Sequence, residues 1–343
     1  MPVKARHIAA WSALVLTVIG FTLLLGFNRG LYERHKGWDG EFVDITLESG
    51  LSAGAIFVRL EQAGVLASPA VLNAWLRLSG GSNNLHAGEY RFDRPISPVE
   101  LLERLRGGDV LLYQVTLPEG LDIREIAERF VDAGFGPLDA LMEAFSDPAT
   151  IADLDELAED LGGYLYPDTY SFARSTEPRS IAATLVQRFR EVTGLNWREQ
   201  AAQQGLSVRQ AITLASMIEK ETSVAGERRR ISMVFHNRLE KRMRMQCDPT
   251  VMYAIRRSGK PVAVLSREDL EFDSPWNTYK VYGLPPGPIC NPGVASLEAA
   301  VDPLKGEDLY FVADPEGGHT FSTTLESHLR AVARWRNYGR SSR

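Results

Sequence analysis

The sequence predicts an α+β protein with an N-terminal transmembrane helix, a small βααβ module and a larger mixed α+β region that carries an acidic helix. Three observations lead to this prediction. A charge-free apolar run extends from Ile8 to Phe27. Two copies of a strand, turn and helix pattern follow each other at an offset of 70 residues. In the second half, apolar residues recur at helical spacing, and short β-like segments follow proline-rich turns.

Length and composition narrow the class of protein. The 343 residues are enough for two or three domains, and a hydrophobic fraction of 44% is ample for packed cores. The net charge of -6 does not indicate a protein that binds nucleic acid, because such proteins usually carry an excess of positive charge. The sequence contains no Walker loop, dinucleotide fingerprint, zinc-protease motif, serine-hydrolase motif or metal-ligand spacing. Carboxylate chemistry of the kind that acts on carbohydrates is what the residues still support.

The apolar run from Ile8 to Phe27 is long enough to be a membrane anchor. At about 1.5 Å per residue it spans the roughly 30 Å hydrocarbon core of a bilayer, and Arg6 and Arg29 bracket it. A cleaved signal peptide is the alternative, but its apolar region is usually about 7 to 15 residues long and ends at small residues. No such cleavage site follows Leu23. Residues 1–36 are therefore predicted to be a short tail and an uncleaved anchor, with the helix at about 8–27. The basic residues on its two sides nearly balance, so charge does not decide its orientation.

The first half of the chain contains an internal repeat that needs no gap. In both copies a short apolar segment meets a turn with an acid and a glycine, and a helix that ends at a glycine follows. The matched residues are Thr46-Leu47, Gly50-Leu51, Ile56, Arg59 and Ala63-Gly64 in the first copy and Thr116-Leu117, Gly120-Leu121, Ile126, Arg129 and Ala133-Gly134 in the second. Each copy is predicted to form one small α+β unit.

The first copy continues into a longer module. A helical stretch runs from Pro69 to Leu78, a turn from Ser79 to Asn84, and a β-like segment from Ala87 to Phe92. The resulting order of strand, helix, helix and strand resembles a LysM domain, a module known to bind glycans that contain N-acetylglucosamine. Residues 37–112 are predicted to form this LysM-like module. A βααβ spacer that binds no glycan is the alternative.

A well-marked helix begins after Ser207. Ser207 and Gln210 have the spacing of a capping box, which satisfies the first free backbone N–H groups. Apolar side chains then fall on one broad arc of the helix, with Thr213 and Ser216 opposite. The pattern is therefore that of an amphipathic helix.

Glu219 and Glu221 fall on the two edges of this apolar arc. A carboxyl at such an edge can be partly desolvated, which raises its pKa toward the range where it can donate a proton near neutral pH. Ala215 and Ser216, one turn before Glu219, are small enough to leave room for a ligand, and this favours Glu219. Ordinary solvated charges at the edges of a helix are the alternative.

The chain after this helix is rich in turns and ends with two β-like segments. Proline-rich turns occur between residues 247 and 293, and rigid loops beside a helix are places where binding clefts form. Asp308–Asp314 and Gly317–Ser322 predict two strands joined by the turn at Pro315–Gly318. We therefore expect a cleft beside the helix and a two-stranded ribbon after it.

The two cysteines each stand beside a turn. Cys247 lies in Gln246-Cys-Asp-Pro249, and Cys290 lies in Pro288-Ile-Cys-Asn-Pro292. They could form one disulfide or remain two unrelated buried thiols, because pairing does not follow from sequence.

Several motifs of the second half occur in a recognisable order. They are Ala215-Ser-Met-Ile-Glu-Lys-Glu-Thr222, Phe235-His-Asn-Arg-Leu239, Gln246-Cys-Asp-Pro-Thr-Val251, Trp276-Asn-Thr-Tyr279, Gly283-Leu-Pro-Pro-Gly-Pro-Ile289, Asn291-Pro-Gly293 and Gly317-Gly-His-Thr-Phe321. Together they resemble the YceG-like family of membrane-anchored endolytic murein transglycosylases, over roughly residues 40 to 337. The resemblance implies a catalytic region at residues 113–338, with its core at about 205–338, and a tail at 339–343.

The resemblance also implies an activity and its residues. The family cleaves the β-1,4 bond between N-acetylmuramic acid and N-acetylglucosamine inside nascent peptidoglycan strands and leaves a 1,6-anhydro-muramyl end. Its catalytic glutamate falls on Glu219. One carboxyl suffices for this chemistry, since it can protonate the glycosidic oxygen and then take the proton of the muramyl C6 hydroxyl. No cofactor and no metal are required. The residues predicted to line the cleft and to orient Glu219 or the acetamido groups, each with a structural turn role as the alternative, are Glu221, Gln246, Asp248, Asn277 and Tyr279.

A location and a set of partners follow from the same resemblance. The substrate lies outside the cytoplasmic membrane, so residues from about 37 onward are expected in the periplasm. The N-terminus would be cytoplasmic, with a single pass through the bacterial inner membrane. Expected partners are peptidoglycan glycan strands, the cytoplasmic membrane and peptidoglycan synthases, without nucleic acid. Cys247 and Cys290 stand where many relatives carry small residues, and the change of both together agrees with a disulfide.

Two other functions stay open at this point. A lysozyme-like muramidase would use Glu219 as its acid and Glu221 or Asp248 as the second carboxylate. A non-catalytic scaffold that binds glycan and recruits other enzymes would need none of these carboxylates.

Overall fold

The computed structural model describes residues 2–79, 84–314 and 317–341. Within these residues, helices are combined with three two-stranded sheets, which confirms the predicted α+β class. The chain divides into two compact units. One consists of Met1–Tyr113 and Ser171–Ser175, and the other of Gln114–Tyr170 and Thr176–Arg343.

The first unit begins with the long helix α1 (Pro2–Tyr32), which extends beyond the predicted 8–27 at both ends. Its segment Trp11–Tyr32 is 22 residues long and contains an 18-residue stretch that has a mean hydropathy of 1.8 and no residue buried inside the protein. By length and composition, this segment can cross a membrane.

A βααβ module and one further helix complete the first unit. Its elements are β1 (Val43–Leu47), α2 (Ala53–Gln62), α3 (Pro69–Ser79), β2 (Gly88–Phe92) and α4 (Pro98–Gly107). Strands β1 and β2 are antiparallel, with Ile45 opposite Tyr90. Side chains from all five elements form one buried core, in which Phe57, Leu72 and Tyr90 are completely buried. The predicted order of elements is observed, and the likeness to a LysM domain stays a prediction. Residues 80–83 of the predicted turn lie outside the described part of the chain.

The internal repeat is confirmed by the backbone. Helix α5 (Ile123–Asp132) has the same length as α2 and lies 70 residues after it. Gly50 and Gly120 occupy the turn before the helix with φ of +83° and +81°, in the left-handed region that favours glycine. The second copy begins with β3 (Tyr113–Thr116). Both copies therefore use the same turn to lead a strand into a helix.

The second unit is mainly helical. The further elements of the chain are α6 (Leu138–Phe145), β4 (Thr169–Phe172), α7 (Pro178–Val192), α8 (Leu195–Gln203), α9 (Val208–Glu221), α10 (Arg228–Glu240), α11 (Asp248–Arg257), α12 (Val294–Val301), β5 (Tyr310–Ala313), β6 (His319–Ser322) and α13 (Leu325–Ser341). All of them belong to the second unit except the last two residues of β4, which belong to the first. Strand β3 pairs with β4, and β5 pairs antiparallel with β6. The β5–β6 pair confirms the predicted ribbon, although Pro315 and Glu316 of its turn lie outside the described residues. Helix α9 contacts α8, α10, α11 and α12, so it occupies the middle of this unit.

Candidate active site

Helix α9 carries both candidate carboxyls in its last turn and begins as predicted. The Ser207 hydroxyl accepts a hydrogen bond from Gln210 N at 3.2 Å, and the Gln210 side chain accepts one from Ser207 N at 2.9 Å. This reciprocal pair is the predicted capping box, and it sets where the helix starts. The helix then ends at Glu221.

The interior of α9 is buried on every side, unlike the amphipathic helix that the pattern predicted. Thr213 and Ser216, which lie opposite the apolar arc, are buried as completely as their apolar neighbours. Their hydroxyls are satisfied inside the protein, because Thr213 Oγ1 donates to Arg209 O at 2.8 Å and Ser216 Oγ donates to Thr213 O at 2.7 Å. Small hydroxyls that bond to their own helix can be buried at little cost, so helical period alone did not identify a solvent-facing side.

Glu219 lies at the end of α9 with its side chain only 8% exposed. Its Oε2 accepts a hydrogen bond from Gly293 N at 3.1 Å, and its Oε1 lies 3.9 Å from Arg228 Nη2. Gly293 is the N-cap of α12, so this donor stands at the positive end of a helix dipole. Glu219 therefore lies nearly buried between a backbone donor and a cation.

A second carboxylate, Glu119, approaches the same place from the turn of the second repeat copy. Glu119 is exposed to solvent, and its carboxylate lies against Gly293, where an added Cβ would overlap it. Partial burial and then the charge of Glu219 raise the pKa of Glu119, and Arg228 opposes them. The backbone of Gly293, with φ of -78° and ψ of 172°, is open to any residue. Glycine is therefore needed here for its lack of a side chain.

Asn291 connects the turn that carries Glu119 to the loop that contains Gly293. It is completely buried, and its Nδ2 and backbone N donate to Leu121 O at 2.9 and 2.8 Å. Its Oδ1 accepts from Leu165 N at 3.0 Å, and its own carbonyl accepts from Gly120 N at 2.9 Å. From α9, Lys220 Nζ donates to Gly120 O at 3.1 Å. The turn, the loop and the end of α9 are thus held in one arrangement.

Glu221 faces a different set of groups on the other edge of α9. Burial raises the pKa of Glu221 to about 7, a hydrogen bond with Cys247 opposes this, and the charge of Asp248 adds to it. His319 is also near enough to act on this carboxyl. Its ring Nδ1 lies 2.6 Å from Glu227 Oε2, which ties strand β6 to the beginning of α10. Glu221 lies beside the loop that contains Cys247, and the supporting role predicted for it stays a prediction.

Three of the predicted supporting residues lie beside this edge. The Tyr279 hydroxyl donates to Asp248 Oδ1 at 2.5 Å. Gln246 and Tyr279 line a cavity of about 680 Å³, together with the cations of Arg244 and Lys280. Gln246 and Asp248 are exposed, so their side chains are accessible to a ligand.

Asn277 holds the loop beneath Tyr279 and is completely buried. Its Nδ2 donates to Leu270 O at 2.9 Å and to Phe272 O at 2.8 Å, and its Oδ1 accepts from Tyr279 N at 3.0 Å. All three bonds stay within the protein. Asn277 thus stabilises this loop, and the supporting role in the cleft stays a prediction.

Both cysteines are free thiols, in place of the disulfide that the sequence left open. Cys290 Sγ donates to Ser216 O at 3.4 Å, and the Cys247 thiol is hydrogen-bonded to Glu221. Burial raises the pKa of both thiols, that of Cys247 well above its ordinary value. They serve as small buried groups that contact α9 at two different places.

Comparison with known proteins decides the family. The sequence model of the YceG-like family matches residues 45–334. The chain belongs to the YceG-like family. A relative from Bacillus subtilis named endolytic murein transglycosylase is 31% identical over 336 residues, which cover 93% of this chain and 91% of that protein. A relative of the same name from Streptococcus pneumoniae R6 is 28% identical, and the match covers 85% of this chain but 58% of that protein.

A solved structure shares this YceG-like fold. The crystal structure of a yceG-like protein from Listeria monocytogenes matches with a TM-score of 0.58 at 32% sequence identity. The match covers 84% of this chain and 98% of the Listeria chain. The family resemblance that the motifs indicated is thus confirmed by sequence and by fold.

Sequence reasoning within this YceG-like chain missed three residues that surround Glu219. Gly293 was noticed only as part of a motif, and Arg228 is one of three consecutive arginines whose spacing does not show which one faces α9. Glu119 did have a signal. The repeat places it opposite Ser49, so the second copy gains a carboxylate where the first has a hydroxyl.

Proposed function

We propose that this protein is an endolytic murein transglycosylase that cleaves the β-1,4 bond between N-acetylmuramic acid and N-acetylglucosamine and leaves 1,6-anhydro-muramyl ends. The observation that carries the proposal is Glu219, a nearly buried carboxyl that accepts the Gly293 N–H at 3.1 Å beside Arg228. The name of the Bacillus subtilis relative supports it, because that relative matches over almost the whole chain.

In this mechanism Glu219 acts twice. As an acid it gives its proton to the glycosidic oxygen while the bond from the muramyl C1 to that oxygen breaks. As a carboxylate it then takes the proton of the muramyl C6 hydroxyl, whose oxygen forms the new bond to C1. Glu219 ends in the form in which it began, and no water is consumed. Between the two steps, the Gly293 N–H and the Arg228 cation stabilise the carboxylate.

The residues beside the other edge of α9 are proposed to hold the glycan. Gln246, Asp248 and Tyr279 offer an amide, a carboxylate and a hydroxyl at or near the 680 Å³ cavity, and such groups suit the hydroxyl and acetamido groups of amino sugars. Glu221 would orient this group through Cys247, while Asn277 holds the backbone of Tyr279.

The location is proposed from the substrate and from α1. Nascent peptidoglycan lies outside the cytoplasmic membrane, so we propose that α1 anchors the protein in the bacterial inner membrane with its N-terminus in the cytoplasm. The module at residues 37–112 would contact glycan as a LysM-like domain, and residues 113–338 would carry out the cleavage in the periplasm. An enzyme held there would meet strands as they emerge, which makes peptidoglycan synthases its proposed partners.

The decisive experiment is product analysis. The full-length protein in detergent is incubated with purified, uncrosslinked glycan strands, and the products are measured by mass spectrometry. We expect fragments that end in 1,6-anhydro sugar, lighter by one water than hydrolysis products. Glu219→Gln should give none while it still folds and sediments with peptidoglycan. Glu240→Gln, an exposed glutamate at the end of α10, is the matched control and should behave as wild type.

Two results would replace the proposal with the alternatives. Reducing ends without anhydro ends would identify a lysozyme-like muramidase, for which a second carboxylate near Glu219 would be needed. A wild-type protein that binds strands and leaves their length unchanged would identify a glycan-binding scaffold.

A further inference from the structure

The two carboxylates Glu119 and Glu219 meet at one backbone position, Gly293. Glu219 Oε2 accepts the Gly293 N–H at 3.1 Å, and the Glu119 carboxylate lies where a Gly293 side chain would begin. The two glutamates are 100 residues apart in the chain, so only the fold brings them together. Both act on the same Arg228 cation.

The carboxylate of Glu119 is not needed to build the turn that carries it. The first repeat copy forms the same turn with Ser49 at the matching position, and φ of the following glycine differs by only two degrees, +83° against +81°. Helix α2, like α5, begins with a side-chain cap one residue before it, at Ser52 and Asp122 respectively. The acid of the first copy stands one residue earlier, at Glu48, and pairs with Arg59 at 3.2 Å, so the turn does not need a carboxylate directly before its glycine.

The surroundings of Glu119 also point to a role in chemistry. Among the described residues, no protein donor forms a hydrogen bond or ion pair with its carboxylate. An exposed acceptor without a protein partner, next to a nearly buried carboxyl, is open to a substrate that reaches Glu219. Asn291 and Lys220 form hydrogen bonds with the neighbouring residues Gly120 and Leu121. The fold therefore fixes the position of the backbone that carries Glu119.

We propose that Glu119 is a second acidic residue of this active site, whose carboxylate shares the Gly293 position with Glu219 and acts on the acid that begins the cleavage. The inference rests on the proposed function, because it concerns the acid that begins the cleavage. Like charges repel, and the charge of Glu219 raises the pKa of Glu119. The Arg228 cation opposes this rise, the Lys220 cation lies beside the turn with its Nζ 3.1 Å from Gly120 O, and Tyr166 is the other titratable group on which the charge of Glu119 acts. Glu119 is thus a positioning residue for the proton of Glu219.

The test compares pH–rate profiles of three variants with wild type. In Glu119→Gln the repulsion is lost, so the pair gives up its proton at lower pH and the alkaline limb of kcat should move down by roughly one pH unit. At pH 8 the turnover should then fall roughly tenfold, with KM within about twofold of wild type. Glu119→Asp keeps the charge and should recover part of the profile. Glu48→Gln, in the turn of the first copy, is the matched control and should leave the profile unchanged.

Three results would overturn the inference. One is a wild-type pH profile in Glu119→Gln. Another is a loss of turnover without any shift of the alkaline limb, accompanied by equal drops in melting temperature for Glu119→Gln and Glu119→Asp, which would show a structural role. A third is an equal shift in Glu48→Gln.

Failure of the proposed function would look different. In that case wild type would release no anhydro product, or Glu219→Gln would retain full activity. An active wild type with an inactive Glu219→Gln and an unchanged Glu119→Gln would refute the role of Glu119 alone.

Discussion

Glu219 and Glu221 share one turn of α9, yet the protein surrounds them with different groups. Glu219 meets a backbone donor at 3.1 Å and the cation of Arg228 at 3.9 Å, which stabilise a negative charge. Glu221 meets a buried thiol and the carboxylate of Asp248, and burial raises its pKa to about 7. The same residue type on the same helix thus receives opposite electrostatic settings. The comparison teaches that the segments packed against the end of a helix, and not the helix itself, decide the electrostatic surroundings of each carboxyl.

The largest expected effect is on kcat, and it tests which of the two carboxyls, Glu219 or Glu221, takes part in the cleavage. Replacement of Glu219 by Gln removes the proton that the glycosidic oxygen receives, so kcat should fall roughly 10²- to 10⁴-fold. Glu221→Gln removes a carboxyl that does not meet the breaking bond in this mechanism, and its kcat should change by less than about tenfold. Initial rates of anhydro-product release measure both. Equal losses in the two variants would remove the distinction between the edges.

The second effect concerns stability and belongs to Glu221. Because the folded-state pKa of Glu221 is raised to about 7 from an ordinary 4.5, the folded protein binds more protons than the unfolded chain between these values. The free energy of unfolding should therefore fall as the pH rises from about 4.5 to 7, by about 3 kcal/mol in total from this group, and stay level above it.

Glu221→Gln should remove this fall, whereas Glu219→Gln should retain it. Urea denaturation of wild type and both variants at pH 5 and pH 8 measures the difference, and wild type serves as the reference for all other titrating groups. A fall of the same size in Glu221→Gln would place the responsible group elsewhere.

The smallest expected effect is on stability. It concerns Ser216 in the middle of α9 and the loop around Ile289, which packs on this helix. Ser216 Oγ accepts a hydrogen bond from Ile289 N at 3.0 Å, so Ser216→Ala leaves a buried N–H without a partner and should cost about 1 to 2 kcal/mol of stability. Ser232 on α10 is equally buried, and its hydroxyl has no partner in the described structure. Ser232→Ala is therefore the control and should be neutral or slightly stabilising. Equal urea midpoints for the two variants would show that the Ser216 bond does not hold the loop.

Much of the fold could be predicted because its signals are local. The capping box of Ser207 and Gln210 lies within four residues, and each copy of the repeat carries its own turn glycine and cap. The apolar run of α1 also marks its helix without help from the rest of the chain. The prediction of a solvent-exposed polar side on α9 was wrong because burial depends on distant parts of the chain. Thr213 and Ser216 look solvent-facing by period, and only the packing of four other helices shows that they are buried.

The candidate site was predicted in part. Helical period did not separate Glu219 from Glu221, the small residues one turn earlier favoured Glu219, and the order of the motifs then pointed to it. Glu119 was missed because its partner is 100 residues away, although the repeat already showed an acid where the first copy has Ser49. The cysteines show the same limit: each lies beside a turn, and only the structure assigns each its own contact with α9.

By itself, the sequence determined the helices, the repeated turn, the membrane-length apolar segment and the family, because these depend on neighbours along the chain or on whole motifs. Only the tertiary structure decided what surrounds the carboxyls. The Gly293 N–H, the Arg228 cation and the Glu119 carboxylate come to Glu219 from a loop, a helix start and a turn that are far apart in the chain. The charge state of a carboxyl depends on groups within a few ångströms of it, and in this protein long-range packing supplies most of them.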